Sequence, residues 1–235
     1  MTGAGSAFCS GHDLKEIRGL PGVEARPLPW FLGDRRDGAA RAENDGTLGH
    51  APGREGRDAF TVDYDLPPAD YFAFWPKPMN AHGLSYTSAA LAEPMTLIGF
   101  PVARLTVTAS DPEANLFVYL DQVDRDGKAE VIAFGRLKLA QRKPALPPYA
   151  NFGLPWHSGL ARDALPLAAG EAAPVSIALT PVSRIVPAGA RLRFTVAGAD
   201  PRQRNLKDIR RDPPPRIGVL RGGLDPSRVE LPLVR

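Results

Sequence analysis

The sequence predicts an all-β fold, a jelly-roll-like antiparallel β-sandwich with a poorly ordered N-terminal segment. Three observations carry this. Short apolar runs recur between residues 97 and 196, several with period-two alternation and most closed by a turn. Glycine and proline, 23 and 25 of 235 residues, stand well above ordinary usage; a helical protein would not tolerate so many breakers, whereas a sandwich with many turns uses them. The runs number eight or nine with non-adjacent returns, the pattern of a jelly roll.

Taken in order, residues 1–58 look unlike the rest. Gly33 to Gly38 and the stretch Ala39–Asp58 are small, charged and glycine-rich, with almost no apolar periodicity. Such a segment buries too little surface to offset its ordering entropy, so it is expected to be irregular, with Leu28, Trp30 and Phe31 docking and a helical turn at Asp13–Arg18. Residues 59–235 form the sandwich. Phe60-Thr61-Val62 reads as a short strand, Leu66-Pro67-Pro68 breaks it, and Tyr71 to Trp75 is an aromatic cluster ended by prolines. That cluster is either a core edge or a platform for a partner domain or ligand.

Strands are then predicted at Leu97–Phe100 and Val102–Thr108, where Ala103, Leu105 and Val107 share one face. In Leu116–Val123 the residues Leu116, Val118 and Leu120 alternate with Phe117 and Tyr119, so both faces carry bulk. This suits a central strand with the core on one side and a covering element on the other. Asp124 to Gly127 is a hairpin turn into Glu130–Leu139. Val175–Leu179, then Leu192–Val196 after the Pro187–Gly189 turn, continue the series, and Arg216–Leu220 and Arg228–Leu233 close the sheets.

The net charge of +3 is concentrated in Arg202, Arg204, Lys207, Arg210, Arg211, Arg216 and Arg221. No Phe, Tyr or Trp lies from Ala197 to Arg235, and Asp200, Asp208 and Asp212 interrupt the patch. A salt-bridged loop therefore accounts for it better than nucleic-acid binding does. A single cysteine, Cys9, allows no internal disulfide or cysteine zinc cluster. No run approaches the roughly 20 apolar residues of a membrane helix, and no secretory leader is seen, so the chain is read as soluble and cytoplasmic.

An ordered series of fragments carries a resemblance. Gly99-Phe100-Pro101-Val102, Phe117-Val118-Tyr119-Leu120 and Asp126-Gly127 open it; Leu165-Pro166-Leu167, Leu179-Thr180-Pro181-Val182-Ser183 and Pro187-Ala188-Gly189 continue it, and Ser227 to Pro232 ends it. Together they resemble the C-terminal jelly-roll domain of X-prolyl dipeptidyl-peptidases and the related cocaine-esterase-type α/β hydrolases; Leu84 to Ser88 is similar to the segment entering that domain. The resemblance implies a non-catalytic domain that packs against an α/β-hydrolase domain and shapes its acyl cleft. It points to Phe117 as a bulky side chain on the strand that faces the cleft, while Trp75 and Trp156 are further candidates for a cleft-wall or partner-facing role. The catalytic domain would have to precede residue 60, where there is no room, so the chain is read as truncated or encoded apart from that domain, with a separate α/β-hydrolase chain as the expected partner, docking on the Tyr71–Trp75 surface.

Catalytic residues are expected to be none. Nothing matches G-x-S-x-G: Ser6 and Ser158 have Ala4 and Trp156 two residues before them. His12, His50, His82 and His157 are scattered without metal-ligand spacing, and no carboxylate pair is placed for acid/base work, so neither metal nor cofactor is expected. Ala7 to Glu16 looks like the oxyanion-hole loop of enoyl-CoA hydratases, but ten residues cannot build a CoA pocket and are read as coincidence or a recombined gene end. The expected function is thus the accessory β-sandwich of an X-Pro dipeptidyl-peptidase or esterase-like serine hydrolase, without nucleic-acid or membrane binding. The alternative is a stand-alone carbohydrate- or ligand-binding jelly roll using Tyr71, Phe74, Trp75 and Trp156.

Overall fold

A computed structural model of the chain describes residues 25–34, 45–69, 74–203 and 210–234. Thirteen strands run in chain order: β1 Ala25–Leu32, β2 Asp45–Gly49, β3 Gly56–Thr61, β4 Gly83–Ser88, β5 Met95–Gly99, β6 Val102–Ala109, β7 Asn115–Val123, β8 Ala129–Lys138, β9 Ala173–Ala178, β10 Val182–Val186, β11 Arg191–Ala197, β12 Arg216–Arg221 and β13 Arg228–Val234. Among the described residues, three short 3-10 turns interrupt them.

The pairing path runs β3-β12-β6-β13-β1-β2-β4-β11-β7-β8, with β5 joined to β10 and β13, and β9 to β6. Every pair is antiparallel except β2 with β4. The sheet folds over on itself, so that inward residues of β4, β11 and β7 (Tyr86, Phe194, Leu120) meet those of β6, β9 and β12 (Leu105, Ile177, Ile217) in one buried cluster. This is the predicted all-β sandwich. The alternation in β6 holds as read: Ala103, Leu105 and Val107 are all in the core.

The predicted Asp124 to Gly127 turn closes the β7–β8 hairpin. Gly127 adopts φ +84°, the left-handed region that favours glycine. Asp124 Oδ1 accepts from the N–H groups of Asp126 and Lys128, at 3.0 and 2.8 Å. The side chain thus substitutes for turn backbone, as an Asx turn does.

The expectation of irregular chain over residues 1–58 is corrected where that stretch is described. β1 pairs with β13 along Ala25 to Phe31, and β2 joins it to β4, so this chain carries the link between the two layers. The expected docking of Trp30 is met, since it is buried in the core beside Leu32. Pro27 and Pro29 concealed β1 in the sequence. They sit two apart, so both point their missing N–H to one side, and between residues 25 and 30 β1 pairs on one side only. Met1 to Glu24 lie outside the described residues, with the expected turn at Asp13–Arg18, the Ala7–Glu16 stretch, Cys9 and His12.

Candidate functional site

The two faces of β7 have different fates. Leu116, Val118 and Leu120 enter the main core, whereas Phe117 and Tyr119 form a second cluster with Met79, Val131 and Ala197 on the opposite face. Cross-strand register places Arg136 opposite Phe117 and Phe134 opposite Tyr119, with a bulge between Leu120 and Asp121. Both faces of β7 therefore carry bulk under cover, as the sequence suggested.

Two segments build walls on this outer face. Residues 74–79 cross it without regular structure. Trp75 donates its indole N–H to the Val131 carbonyl at 2.6 Å and meets the Phe134 ring edge-on at 5.1 Å, while Met79 is buried in the cluster. On the other side, Thr180 donates its N–H to the Phe134 carbonyl at 2.8 Å, and its Oγ1 accepts from the Phe134 N–H at 3.1 Å. This crossing is so close that a Cβ on Gly135 would lie 2.8 Å from the Ala178 carbonyl oxygen, so glycine is required there.

Between these walls lies an open groove of about 770 Å³ whose lining includes Phe74, Phe100, Phe117, Phe134, Arg136 and Arg202. That size falls within the range of small-molecule sites, roughly 300–1,000 Å³. The long loop from 142 to 165 extends one rim. Leu154 lines the groove, and Phe152 stacks on Phe100 with ring centroids 6.1 Å apart. Phe152 is the one non-glycine residue with positive φ (61°) among the described residues, a strained conformation. All the exposed large apolar side chains among the described residues, apart from Ile185 and Leu224, lie in residues 74–75 or in this loop.

A buried polar relay fixes the groove's far wall. Asp200, whose side chain is wholly buried, accepts from Tyr119 Oη at 2.7 Å and from Arg202 Nη2 at 2.6 Å. Burial alone would raise the Asp200 carboxyl, but hydrogen bonds from Arg202 and Tyr119 overcome it and hold the group below its ordinary range. Burial pushes the Tyr119 hydroxyl well up, and the Asp200 charge adds to this. Thus clamped, the Arg202 guanidinium lies over the Phe134 ring at 4.5 Å and donates to the Phe74 carbonyl at 3.2 Å. One step along β7, Asp121 is fully buried with neither carboxylate oxygen hydrogen-bonded; burial pushes its carboxyl up to about 7 against the pull of Arg193.

Of the residues singled out from sequence, Phe117 lines the groove and Trp75 packs beside it against Phe134. Trp156 is half-buried in the loop, does not line the groove, and accepts from the Ala145 N–H through its carbonyl. Tyr71, Phe72 and Ala73 lie outside the described residues. Phe100, Phe134, Arg136, Asp200 and Arg202 were missed as site residues.

No catalytic triad forms among the described residues. Ser158 donates to Asp163 at 2.6 Å, while the neighbouring His157 ring nitrogens face the carbonyls of Lys143 and Ser176 at 3.2 and 2.9 Å. The serine thus has an acid but no base. His82 pairs with Asp63 and His50 lies against the Trp30 ring. Of the C-terminal basic residues that are described, Arg202 pairs with Asp200, Arg211 with Asp111 and Arg221 with Asp58, while Arg210 lies over the Tyr64 ring at 5.6 Å. No helix among the described residues is long and apolar enough to cross a membrane.

Comparison with known proteins adds three findings. A family model described as the X-Pro dipeptidyl-peptidase C-terminal non-catalytic domain matches residues 11–208. Proteins of Mycobacterium bovis and Mycobacterium tuberculosis, both named as serine esterases, are each 33% identical over 161 residues, covering 68% of this chain and 25% of theirs. The chain therefore spans about a quarter of the length of these curated relatives. Among solved structures, a CocE/NonD family hydrolase from Staphylococcus aureus superposes with a TM-score of 0.64 at 19% identity, over 92% of this chain and 37% of that one. An α-amino acid ester hydrolase gives 0.58 at 14% identity, over 88% and 36%. These two likenesses show the fold.

Proposed function

This chain belongs to the family of the X-Pro dipeptidyl-peptidase C-terminal non-catalytic domain, and on that premise we propose that it is the accessory β-sandwich of a serine hydrolase acting on ester or X-Pro peptide bonds. Its groove face meets an α/β-hydrolase catalytic domain supplied by a separate chain, and the assembly works in the cytoplasm. One observation supports the reading: most of the exposed large apolar side chains among the described residues fall in two segments, residues 74–75 and the loop from 142 to 165, and each segment sends a side chain (Phe74, Leu154) into the aromatic groove on the outer face of β7 and β8. Burying residues 74–75 and the rim loop against a second domain removes that apolar area from water, and leaves Phe117, Phe134 and Phe100 as one wall of the cleft thus formed.

The carbohydrate-binding alternative has less support. Trp75 has spent its indole N–H on Val131 and its ring edge on Phe134, and Trp156 does not line the groove.

The test is an exchange. The quarter of the Mycobacterium bovis esterase that matches this chain is replaced by it, and turnover of 4-nitrophenyl acetate is compared with that of the esterase lacking the quarter. Activity in the exchange protein and none in the deletion supports the reading. An exchange protein that is folded by circular dichroism yet as inactive as the deletion overturns it. The chain alone is expected to turn over no ester.

A further inference from the structure

We infer that the groove selects an aromatic or bulky apolar group bearing a carboxylate or similar anion, supplied by a small-molecule substrate, and that Arg136 is the residue that reads the charge. The inference rests on the groove being the wall of a hydrolase cleft and adds what that wall prefers.

Two cations near the groove are already answered, Arg202 by Asp200 and Lys138 by Glu113. Lys138 lies two residues along β8 on the same face as Arg136, so its pairing with Glu113 marks a contrast between neighbours. Arg136 is exposed, stands directly across from Phe117, lines the groove, and has no hydrogen-bond or ion-pair partner among the described residues.

The rest of the lining is mainly apolar, with four phenylalanine rings. An apolar ligand filling the groove strips water from Arg136. If it brings no acceptor, that desolvation is uncompensated. If it brings a carboxylate, the guanidinium can take it bidentately through two parallel N–H donors, in a setting where water screens the pair less than on open surface. A cationic ligand meets both the missing acceptor and like-charge repulsion. The clamped Arg202 cannot take over this role, because the buried Asp200 already holds it.

The test uses the free, full-length chain and two fluorescent probes of nearly the same shape: 8-anilinonaphthalene-1-sulfonate, an aromatic anion, and N-phenyl-1-naphthylamine, which lacks the sulfonate. The expectation is saturable binding of both, with the anion bound about fivefold more weakly by Arg136→Gln and the neutral probe unchanged. Arg162→Gln, an exposed change outside the groove, should move neither, and Phe74→Ala should weaken both. In the parent chain 2-naphthoate should displace the sulfonate probe, and 2-naphthalenemethanol should do so more weakly. Unchanged anion affinity in Arg136→Gln overturns the inference. So does an Arg136 effect that no small aromatic acid can compete with, since that would assign the charge to a protein surface. Because this measurement needs no catalytic domain, failure here and failure of the domain exchange are read separately.

Discussion

The inner and outer faces of β7 alternate residue by residue, yet they follow different rules. Inward, Leu116, Val118 and Leu120 meet other core hydrocarbons. Outward, Phe117, Tyr119 and Asp121 pass from an aromatic groove, through a hydrogen-bonded phenol, to a bare carboxylate. The inner face needs only volume and apolarity, which many side-chain sets supply. The outer face buries groups whose burial is costly unless a specific partner answers them, and it is there that the groove lies.

The largest effect expected is on the inner side. Phe194→Ala empties a fully buried site and should cost about 3–5 kcal/mol, read by urea unfolding. The same truncation on the outer side, Phe117→Ala, opens onto a groove that water can enter and should cost less, about 2–3 kcal/mol. Equal losses would show that the outer cluster is ordinary core and would break the contrast.

The next effect separates two carboxylates of the outer face by pH. Burial raises the folded-state pKa of Asp121 to about 7, so the native state holds its proton more tightly than the unfolded chain does. Stability should therefore fall as pH rises from the ordinary carboxylate range to about 7, by up to about 4 kcal/mol, and level off above. Asp200 has the opposite sign: its pKa is held low, so its contribution is present above the ordinary range and is lost as pH falls through it. Urea midpoints at pH 5 and pH 8 should thus converge in Asp121→Asn relative to the parent. An unchanged difference would show that Asp121 is not the group responsible.

Tyr119→Phe comes third. It removes one donor to Asp200 while Arg202 keeps its contacts, so the loss should be about 1–1.5 kcal/mol. Trp75 emission should shift as well, because Arg202 ties the Asp200 relay to the Phe74 carbonyl beside that tryptophan.

How far these features were legible follows from which signals are local. β5 to β9 and β11 to β13 showed in the sequence because their alternation and turns lie within each run. β1 was hidden by Pro27 and Pro29, and β2 (Asp-Gly-Thr-Leu-Gly) reads as a turn. β4 carries Ser85, Thr87 and Ser88, polar residues that are nevertheless buried. Phe117 could be singled out because the resemblance pointed to its strand. Phe134 and Arg136 could not: the bulge at Leu120/Asp121 shifts the β8 register by one, and a one-residue shift reverses which face a side chain takes. Arg202 joins the groove only through Asp200 and the ring of Phe134, contacts that no local pattern announces.

The smallest effect on stability, and the sharpest separation of stability from function, belongs to Phe74. At 77% exposed it loses little burial when cut back, so Phe74→Ala should move the unfolding free energy by no more than about 0.5 kcal/mol. Its backbone is held by Arg202 and its neighbour Trp75 by Val131, contacts that the substitution leaves in place. If the groove face is where a catalytic domain seats, the same change made in the esterase exchange protein should lower turnover several-fold while the free chain unfolds as before. A Phe74→Ala protein that loses stability but not turnover would make this side chain part of the packing and return the outer face of β7 to the rules of the inner one.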